Sequence, residues 1–158
     1  MKQVKGNLLD MFDAGDFDII VHGCNCHKNM GGGIAFQIAQ RYPTVEAADN
    51  RTVTSPAVSK LGTIVPVWLS NRWLSWFVPP KVVINAYTQY NPGRDGNLQA
   101  IVDAFTELTD LVHDNNWYGK KIGIPAIGCG IAGLEWEEVE HFLTPICQDL
   151  DITLVVFE

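Results

Sequence analysis

The sequence has few basic residues and no long apolar run. Lys and Arg together number 11, against 18 Asp and Glu, which gives a formal net charge of −7. A broad nucleic-acid-binding surface is therefore not expected, because such surfaces use Lys and Arg to displace counterions. No apolar run approaches the roughly 20 residues that cross a bilayer, and the first residues, MKQVKGNLLD, are too polar for a signal peptide. We expect a cytoplasmic protein with no membrane partner.

Internal repeats, low-complexity tracts and charge blocks are also missing. A chain of 158 residues with 47% hydrophobic content is long and apolar enough for one sizeable core, so residues 1–158 are predicted to form a single domain. Only one residue separates Cys24 from Cys26, and nothing suggests secretion. The cysteines are therefore expected to be reduced thiols rather than disulfides.

Two common nucleotide-binding motifs are absent. The sequence contains no G-x-x-x-x-G-K-[ST], and Gly31, Gly32 and Gly33 lack the spacing of G-x-G-x-x-G. A P-loop NTPase and a Rossmann dehydrogenase are therefore disfavoured. An acidic protein must hold an anionic ligand locally, and backbone N–H groups at glycine-rich turns and helix N-termini do so without basic side chains.

Apolar periodicity predicts alternating strands and helices, which indicates an α/β layered fold with a mainly parallel or mixed sheet. The strand at the C-terminal end is a continuous apolar run and is expected to be central. The predicted strands are 3–8, 17–23, 62–69, 73–87 (irregular near Pro79 and Pro80), 121–127 and 152–157, and the predicted helices are 33–41, 98–112 and 135–147.

Two glycine-rich loops each lie between a predicted strand and a predicted helix, where open α/β sheets bind ligands. Glycine permits backbone angles closed to other residues, and it lets main-chain N–H groups approach phosphate oxygens. Either loop alone is equally well explained as a tight turn. Both together favour a site that grips a diphosphate from two sides. The loops comprise Gly31, Gly32, Gly33 and Ile34, and Gly128, Cys129, Gly130, Ile131, Ala132 and Gly133.

The segment HGCNCH, residues 22–27, has three competing interpretations. Its His and Cys side chains suit zinc, with Cys129 nearby, but the C-x-C spacing is too tight and no second ligand pair follows. The cysteines and His22 also suit a buried structural role. In the third interpretation His22 or His27 acts as a general acid or base while Asn25 orients a hydroxyl. Because side chains alternate along a strand, His22 and Asn25 can share one face only if the strand breaks near Gly23.

Other aromatic and histidine residues are weaker candidates. His113 and His141 fall in predicted helices and are expected at the surface. Tyr87 and Tyr90 follow a buried strand and either close over a ligand ring or pack at its rim. Four further aromatic residues are explained more simply as part of the sheet and core than as a base-stacking platform, because so few basic residues lie between them. They are Trp68, Trp73, Trp76 and Phe77.

Three strings, VKGNLL, HGCNCHKNMGGGIAFQIAQRYP and IPAIGCGIAGLEWEEVE, resemble the macrodomains, which bind ADP-ribose. The resemblance covers nearly the whole chain. It looks closest to the branch containing the yeast-type ADP-ribose 1″-phosphate phosphatase and more distantly similar to the ADP-ribosyl-glutamate hydrolases. It implies a three-layer α/β/α fold with a central mixed sheet. We expect neither a metal nor a cofactor.

The resemblance also implies roles for particular residues. The two glycine-rich loops would hold the diphosphate. The turn of Gly6, Asn7 and Leu8 would lie by the adenine, where many macrodomains carry Asp. His22 and Asn25 would correspond to an asparagine pair near the distal ribose. The glutamate-hydrolase branch uses an Asp where this sequence has Ala132, and its lysine has no counterpart here, so a lysine-adduct mechanism is disfavoured.

The leading hypothesis from this resemblance is removal of the terminal phosphate of ADP-ribose 1″-phosphate, with His22 activating water or attacking phosphorus. A second hypothesis is a non-catalytic module that reads free or protein-linked ADP-ribose. A third is hydrolysis of an ADP-ribosyl bond on a modified protein or nucleic acid, with His27 or Asn25 positioning water. The expected partners are ADP-ribose, its 1″-phosphate and ADP-ribosylated macromolecules.

Overall fold

The computed structural model describes residues 1–52, 56–69 and 81–158. These residues form a six-stranded sheet, five α-helices and a short 3₁₀ helix at Ala57–Lys60. The strands are β1 (Lys2–Lys5), β2 (Ile19–Asn25), β3 (Ile64–Trp68), β4 (Val82–Gln89), β5 (Lys121–Ile124) and β6 (Asp151–Val156). The helices are α1 (Leu8–Ala14), α2 (Gly33–Arg41), α3 (Pro43–Asn50), α4 (Leu98–Asp114) and α5 (Trp136–Ile146).

The sheet is mixed and has the strand order β1-β6-β5-β2-β4-β3. Neighbouring strands from β1 to β4 in that order are parallel, whereas the edge strand β3 is antiparallel to β4. The carboxyl ends of β5, β2 and β4 therefore lie together at one end of the sheet, and the loops that follow these strands share that end. This is the position where ligands bind to open α/β sheets.

Helices cover both faces of the sheet. On one face, Ile19 and Val21 of β2 pack with residues of α4 and α5, including Phe105 and Leu143. On the opposite face, Ile20 packs with residues of α1, α2 and α3. The alternation of β2 side chains between two buried clusters gives the three α/β/α layers that the resemblance implied, and the prediction is confirmed. Within the described residues, no helix is long and apolar enough to cross a membrane.

Several predicted boundaries are wrong for identifiable reasons. The first strand ends at Lys5 because Asn7 caps α1: its Oδ1 accepts from the N–H groups of Leu9 and Asp10 at 3.0 and 3.2 Å. The predicted helix 33–41 has the same bounds as α2, but a further helix that was not predicted, α3, begins at Pro43, since proline is tolerated at the first helical position. Residues 73–80 of the predicted strand at 73–87 lie outside the described residues. The rest of that prediction falls largely within β4.

The strand at the C-terminal end is also misplaced in the sequence prediction. β6 pairs with β1 on one side and β5 on the other, so it is next to the sheet edge rather than central. Its apolar run is explained by burial on both faces: Leu154 packs with α4 and α5, and Val155 packs with α1 and α2. A buried strand one place from the edge carries the same sequence signature as a central one.

Candidate functional site

A cleft of about 540 Å³ lies across the carboxyl ends of β5, β2 and β4. Both glycine-rich loops contribute to its walls, and so does the segment that follows β4. The lining residues are Gly23, Cys24, Asn25, Asn29, Gly31, Gly32, Gly33, Ile34, Ala35, Thr88, Gln89, Pro92, Gly93, Pro125, Ala126, Ile127, Gly128, Gly130, Ile131 and Ala132.

The first glycine-rich loop leads directly into α2. Gly32 is the N-cap residue and has no side chain that could accept from the first N–H groups of the helix. Gly33 has a φ of 57°, in the left-handed region that favours glycine. The loop is fixed by Asn29, whose Oδ1 accepts from the Gly31 N–H at 2.9 Å. The cleft therefore receives the N-terminus of α2, where N–H groups and the helix dipole favour an anion.

The second glycine-rich loop follows β5. Gly128 and Gly133, at the two ends of the loop, have φ values of 78° and 85°, in the left-handed region that favours glycine. The Leu134 N–H donates to the Gly128 carbonyl at 2.8 Å and closes it. Burial raises the pKa of the Cys129 thiol to about 11, so this residue is neutral at pH 7. Cys129 and Gly133 belong to the loop but do not line the cleft.

The two loops face each other across the cleft. Ile131 is 61% exposed, and its Cδ1 lies 3.3 Å from the position of a Cβ added to Gly32. The side chain therefore spans from the second loop to the first. Ile131 therefore lies over the space between the two loops and leaves that space open.

Asn25 is the predicted catalytic residue that lies in the cleft. The register between β2 and β4 shifts between Cys24 and Asn25, which breaks the alternation of side chains. The Asn25 side chain is held from both ends: its Oδ1 accepts from the His27 N–H at 2.9 Å, and its Nδ2 donates to the Asn29 carbonyl at 2.7 Å. Asn25 therefore ties the end of β2 to the first glycine-rich loop.

His22 has no exposed surface and does not line the cleft. Its Nε2 lies 2.7 Å from Asn85 Oδ1, and since that oxygen only accepts, we assign the proton to Nε2. Burial lowers the pKa of the imidazole to about 4, so the ring is neutral at pH 7. The break in the strand comes after His22, so it brings Asn25 into the cleft without bringing His22 there.

Tyr87 is also fully buried and belongs to a polar cluster beneath the cleft. Its hydroxyl donates to Asp49 Oδ1 at 2.7 Å, and Lys60 Nζ lies 3.2 Å from the same oxygen and 4.1 Å from the Tyr87 ring centroid. Burial raises the pKa of the tyrosine, which therefore stays protonated. The structure thus places Tyr87 in contact with α3 and the 3₁₀ helix rather than with the cleft.

The other predicted site residues lie outside the cleft lining. His27 is exposed, and its ring packs against Tyr90 with a centroid separation of 4.7 Å. Asn7 caps α1, and the Leu8 side chain is buried in the core. Gly6 lies beside the end of β6, where its N–H donates to the Val156 carbonyl at 3.0 Å.

Sequence reasoning missed several residues at this end of the sheet. Phe157 follows β6 next to Gly6 and is 75% exposed, which is unusual for a large aromatic side chain. The segment after β4 was assigned no site residue, although it follows a strand that ends beside the glycine-rich loops. The lining residues that were not predicted as site residues are Gly23, Cys24, Asn29, Ala35, Thr88, Gln89, Pro92, Gly93, Pro125, Ala126 and Ile127.

The cleft lining carries no formal charge. None of its residues within the described parts of the chain is Asp, Glu, Lys, Arg or His. Over residues 1–52, 56–69 and 81–158, no group of three or more His, Cys, Asp and Glu side chains is arranged to hold a metal ion. The cleft therefore offers backbone N–H groups, amides and the Thr88 hydroxyl as its polar groups.

Comparison with known sequences gives relatives over the full chain. An uncharacterized 17.5 kDa protein of Enterobacteria phage T4 is 30% identical over 100% of this chain and 97% of its own length. The ADP-ribose 1″-phosphate phosphatase of Saccharomyces cerevisiae is 26% identical over 96% of this chain and 95% of its own. The DNA ADP-ribosyl glycohydrolase of Mycobacterium tuberculosis is 28% identical over 90% of this chain but only 38% of its own length.

Comparison with solved structures agrees with the sequence relatives. The macrodomain of Mycobacterium tuberculosis DarG superimposes with a TM-score of 0.79 and 27% identity, covering 99% of this chain and 95% of that one. A family model described as Macro domain matches residues 21–143, which include most of β2, both glycine-rich loops and most of α5. The chain therefore belongs to the macro domain family.

Proposed function

We propose that the cleft binds ADP-ribose, with the diphosphate between the two glycine-rich loops. The observation that carries this proposal is that the loops follow adjacent strands, β2 and β5, and face each other across a space spanned by Ile131. Backbone N–H groups hold the phosphate oxygens, which explains how an uncharged cleft in a protein of net charge −7 accepts an anion.

The strand order indicates how the ligand is oriented along the cleft. Gly6 and Phe157 lie at the ends of β1 and β6, whereas Gln89 lies at the end of β4. From β6 to β4 the sheet crosses three strand spacings of about 4.8 Å, or about 14 Å in all. An extended dinucleotide-sized ligand then has its adenine near Gly6 and its distal ribose near Asn25 and Gln89.

Phe157 supports the adenine end of this arrangement. Its ring is exposed beside the Gly6 turn and offers a face on which a base can stack. The Asn7 side chain is already engaged as the cap of α1, so we do not assign it a hydrogen bond to adenine. Adenine is then held mainly by stacking and by the backbone of the turn.

For the chemistry at the distal ribose, we propose hydrolysis of the terminal phosphate ester of ADP-ribose 1″-phosphate. Water attacks phosphorus, the bond between phosphorus and O1″ breaks, and the products are inorganic phosphate and ADP-ribose. The near full-length similarity to the yeast phosphatase supports this choice. Asn25 orients a ribose hydroxyl, and the N–H groups of the cleft stabilise the charge that develops on the phosphoryl oxygens.

The catalytic roles of His22 and His27 stay predictions. His22 is buried and bonded to Asn85, so the geometry favours a positioning role, in which it fixes the end of β2 and thereby Asn25. A direct role as base predicts an acid limb in the rate profile near pH 4, the pKa of the buried ring. A His22→Asn variant that keeps the wild-type pH profile excludes the direct role.

A second candidate function is a module that reads ADP-ribose without chemistry. The specific observation in its favour is that no acidic or basic side chain lines the described cleft. A third is cleavage of an ADP-ribosyl bond, for which the similarity to the DNA ADP-ribosyl glycohydrolase is the support. The three candidates share the diphosphate site and differ in what happens at the distal ribose.

The test combines binding and turnover. Calorimetry with ADP-ribose measures the shared site, and release of phosphate or of ADP-ribose from the 1″-phosphate and from ADP-ribosylated DNA separates the three functions. Gly130→Glu introduces a carboxylate into a position with open space, so it should abolish binding while the protein stays folded. Thr106→Glu makes the same charge change on the exposed face of α4 and is the matched control.

Wild-type protein that does not bind ADP-ribose contradicts the proposal as a whole. Tight binding with neither phosphate nor ADP-ribose released favours the reader. Release of ADP-ribose from DNA without phosphate release from the 1″-phosphate favours the glycohydrolase.

A further inference from the structure

Arg94 lies against the second glycine-rich loop, in the segment that follows β4. A Cβ added to Gly133 would be 2.8 Å from Arg94 Cγ and 2.9 Å from Arg94 Nε. The stem of the arginine therefore packs on the Gly133 backbone, and its guanidinium begins beside the loop. Glycine is favoured at position 133 for two reasons: its φ of 85° strains other residues, and a Cβ would contact the Arg94 side chain.

The segment that carries Arg94 is fixed to the cleft. Pro92 and Gly93 line the cleft directly. The Gly96 N–H donates to the Ala132 carbonyl at 3.1 Å, which joins this segment to the second glycine-rich loop. Arg94 is thus an exposed cation held at the rim of the cleft by contacts on both sides of it in the sequence.

Within the described residues, the Arg94 guanidinium has no hydrogen bond or ion pair. The neighbouring carboxylate, Asp95, accepts from the Asn91 N–H at 2.7 Å through Oδ2. Other cations near this end of the sheet are engaged: Lys28 Nζ donates to the Asn50 carbonyl at 2.8 Å, and Lys60 pairs with Asp49. Arg94 is therefore available to a ligand at the rim.

The position of Arg94 along the cleft selects which part of a ligand it meets. It follows β4, on the side opposite to Gly6 and Phe157, so it lies toward the distal end of the proposed ligand. The cleft lining in the described chain carries no positive charge that could balance a phosphate monoester at that end. An arginine fork suits such a group, because it donates two N–H groups to two phosphate oxygens.

We propose that Arg94 binds the terminal phosphate carried by the distal ribose and so makes the protein prefer ADP-ribose 1″-phosphate to ADP-ribose. This inference rests on the proposed binding of ADP-ribose in the cleft. It assigns selectivity for the phosphate monoester to a side chain at the rim, while affinity for the diphosphate comes from the backbone.

The experiment compares two ligands on each variant. One ligand is ADP-ribose, and the other is a 1″-phosphonate analogue in which a methylene group replaces the bridging oxygen, so that it binds without turnover. Calorimetry gives both dissociation constants for wild type, Arg94→Gln and Arg94→Lys. Arg41→Gln is the matched control, since Arg41 is an arginine of α2 paired with Asp10 and Asp13.

Wild type should bind the phosphonate more tightly than ADP-ribose. Arg94→Gln should weaken phosphonate binding about tenfold, as expected for one charge-assisted contact at a solvent-exposed rim. It should change ADP-ribose binding by less than about twofold, below what a lost hydrogen bond produces. Arg94→Lys should recover part of the loss because it restores the charge without the fork. Arg41→Gln should change neither constant.

Two results overturn the inference even where wild type binds ADP-ribose. They are no preference of wild type for the phosphonate over ADP-ribose, and an equal loss of affinity for both ligands in Arg94→Gln. Failure of wild type to bind ADP-ribose is a different outcome, since it contradicts the proposed function itself.

Discussion

The cleft and the polar cluster beneath it consist of different kinds of groups. The cleft is lined by backbone, glycine, small side chains and amides, and none of its described lining residues is charged. Beneath it, the buried polar cluster of His22, Asn85, Tyr87, Asp49 and Lys60 holds titratable side chains that satisfy one another. Reactive residue types therefore mark the support of this site rather than its surface.

This difference separates stability from ligand affinity. Buried titratable groups that lose a partner leave an uncompensated charge or donor, which is costly to folding. Backbone N–H groups at an exposed cleft contact water when the ligand is absent, so changes beside them affect binding more than folding. Substitutions in the buried cluster should therefore lower stability, and substitutions in the cleft lining should lower ligand affinity.

Asp49→Ala should be the most damaging substitution. Asp49 is 1% exposed and is the partner of both Lys60 and the Tyr87 hydroxyl, so its removal leaves a buried ammonium and a buried donor without a partner. We expect the free energy of unfolding to fall by about 3–5 kcal/mol, measured by urea denaturation. Asp110→Ala, an exposed carboxylate of α4, is the control and should change it by less than about 0.5 kcal/mol. Equal losses for the two variants would remove the distinction between cluster and surface.

His22 should make the stability of the protein depend on pH. Burial lowers its pKa from 6.5 to about 4, so the unfolded chain binds a proton more readily than the folded one. The stabilising contribution is present above pH 6.5 and is lost as the pH falls toward 4. Over that range wild type should lose about 3 kcal/mol more than His22→Asn, which has no titrating group at this position. Parallel pH dependence of unfolding for the two proteins would show that the folded ring takes up its proton with the same pKa as the unfolded chain.

Asn25→Ala should affect both regions, because Asn25 joins β2 to the first glycine-rich loop. Loss of its two hydrogen bonds, to the His27 N–H and the Asn29 carbonyl, should lower stability by about 1–2 kcal/mol. ADP-ribose affinity should fall by about tenfold or more, since the loop loses its anchor and the distal ribose loses a partner. Calorimetry and urea denaturation on the same preparation measure the two effects. A stability loss with unchanged affinity would place Asn25 with the buried cluster.

Ile131→Ala should have the smallest effect on folding and a measurable one on binding. Its side chain is 61% exposed, so unfolding should change by less than about 0.5 kcal/mol. Removal of the Ile131 side chain between the loops should weaken ADP-ribose binding by about 3- to 10-fold. This loss corresponds to the free energy of burying roughly one or two methylene groups. Phe142→Ala, at 45% exposure on α5, is the matched control and should leave binding unchanged.

The sequence analysis predicted the macrodomain family and the three-layer fold, and both are confirmed. It also predicted two glycine-rich loops at the carboxyl ends of strands, and the structure brings them together in one cleft. These features were accessible because they depend on local patterns: apolar periodicity, and glycine where a strand turns into a helix. The enzymatic reaction and the cytoplasmic location stay predictions.

The side chains at the site were predicted less well, and the reason is strand geometry. His22, Asn25 and His27 are close in sequence, yet one is buried, one lies in the cleft and one is exposed. A register shift of β2 against β4 decides this, and it is formed with a partner strand some 60 residues away. Tyr87 was misplaced for a related reason, since its partner Asp49 belongs to a helix that the sequence analysis did not predict.

Glycine spacing and helix starts are local features, and their N–H groups need no distant partner, so the amino-acid sequence was enough to predict two loops suited to an anion. Folding determines which side chains lie beside those loops. The side on which a strand residue lies, and whether a nearby cation such as Arg94 is already paired, depend on neighbours brought together by folding.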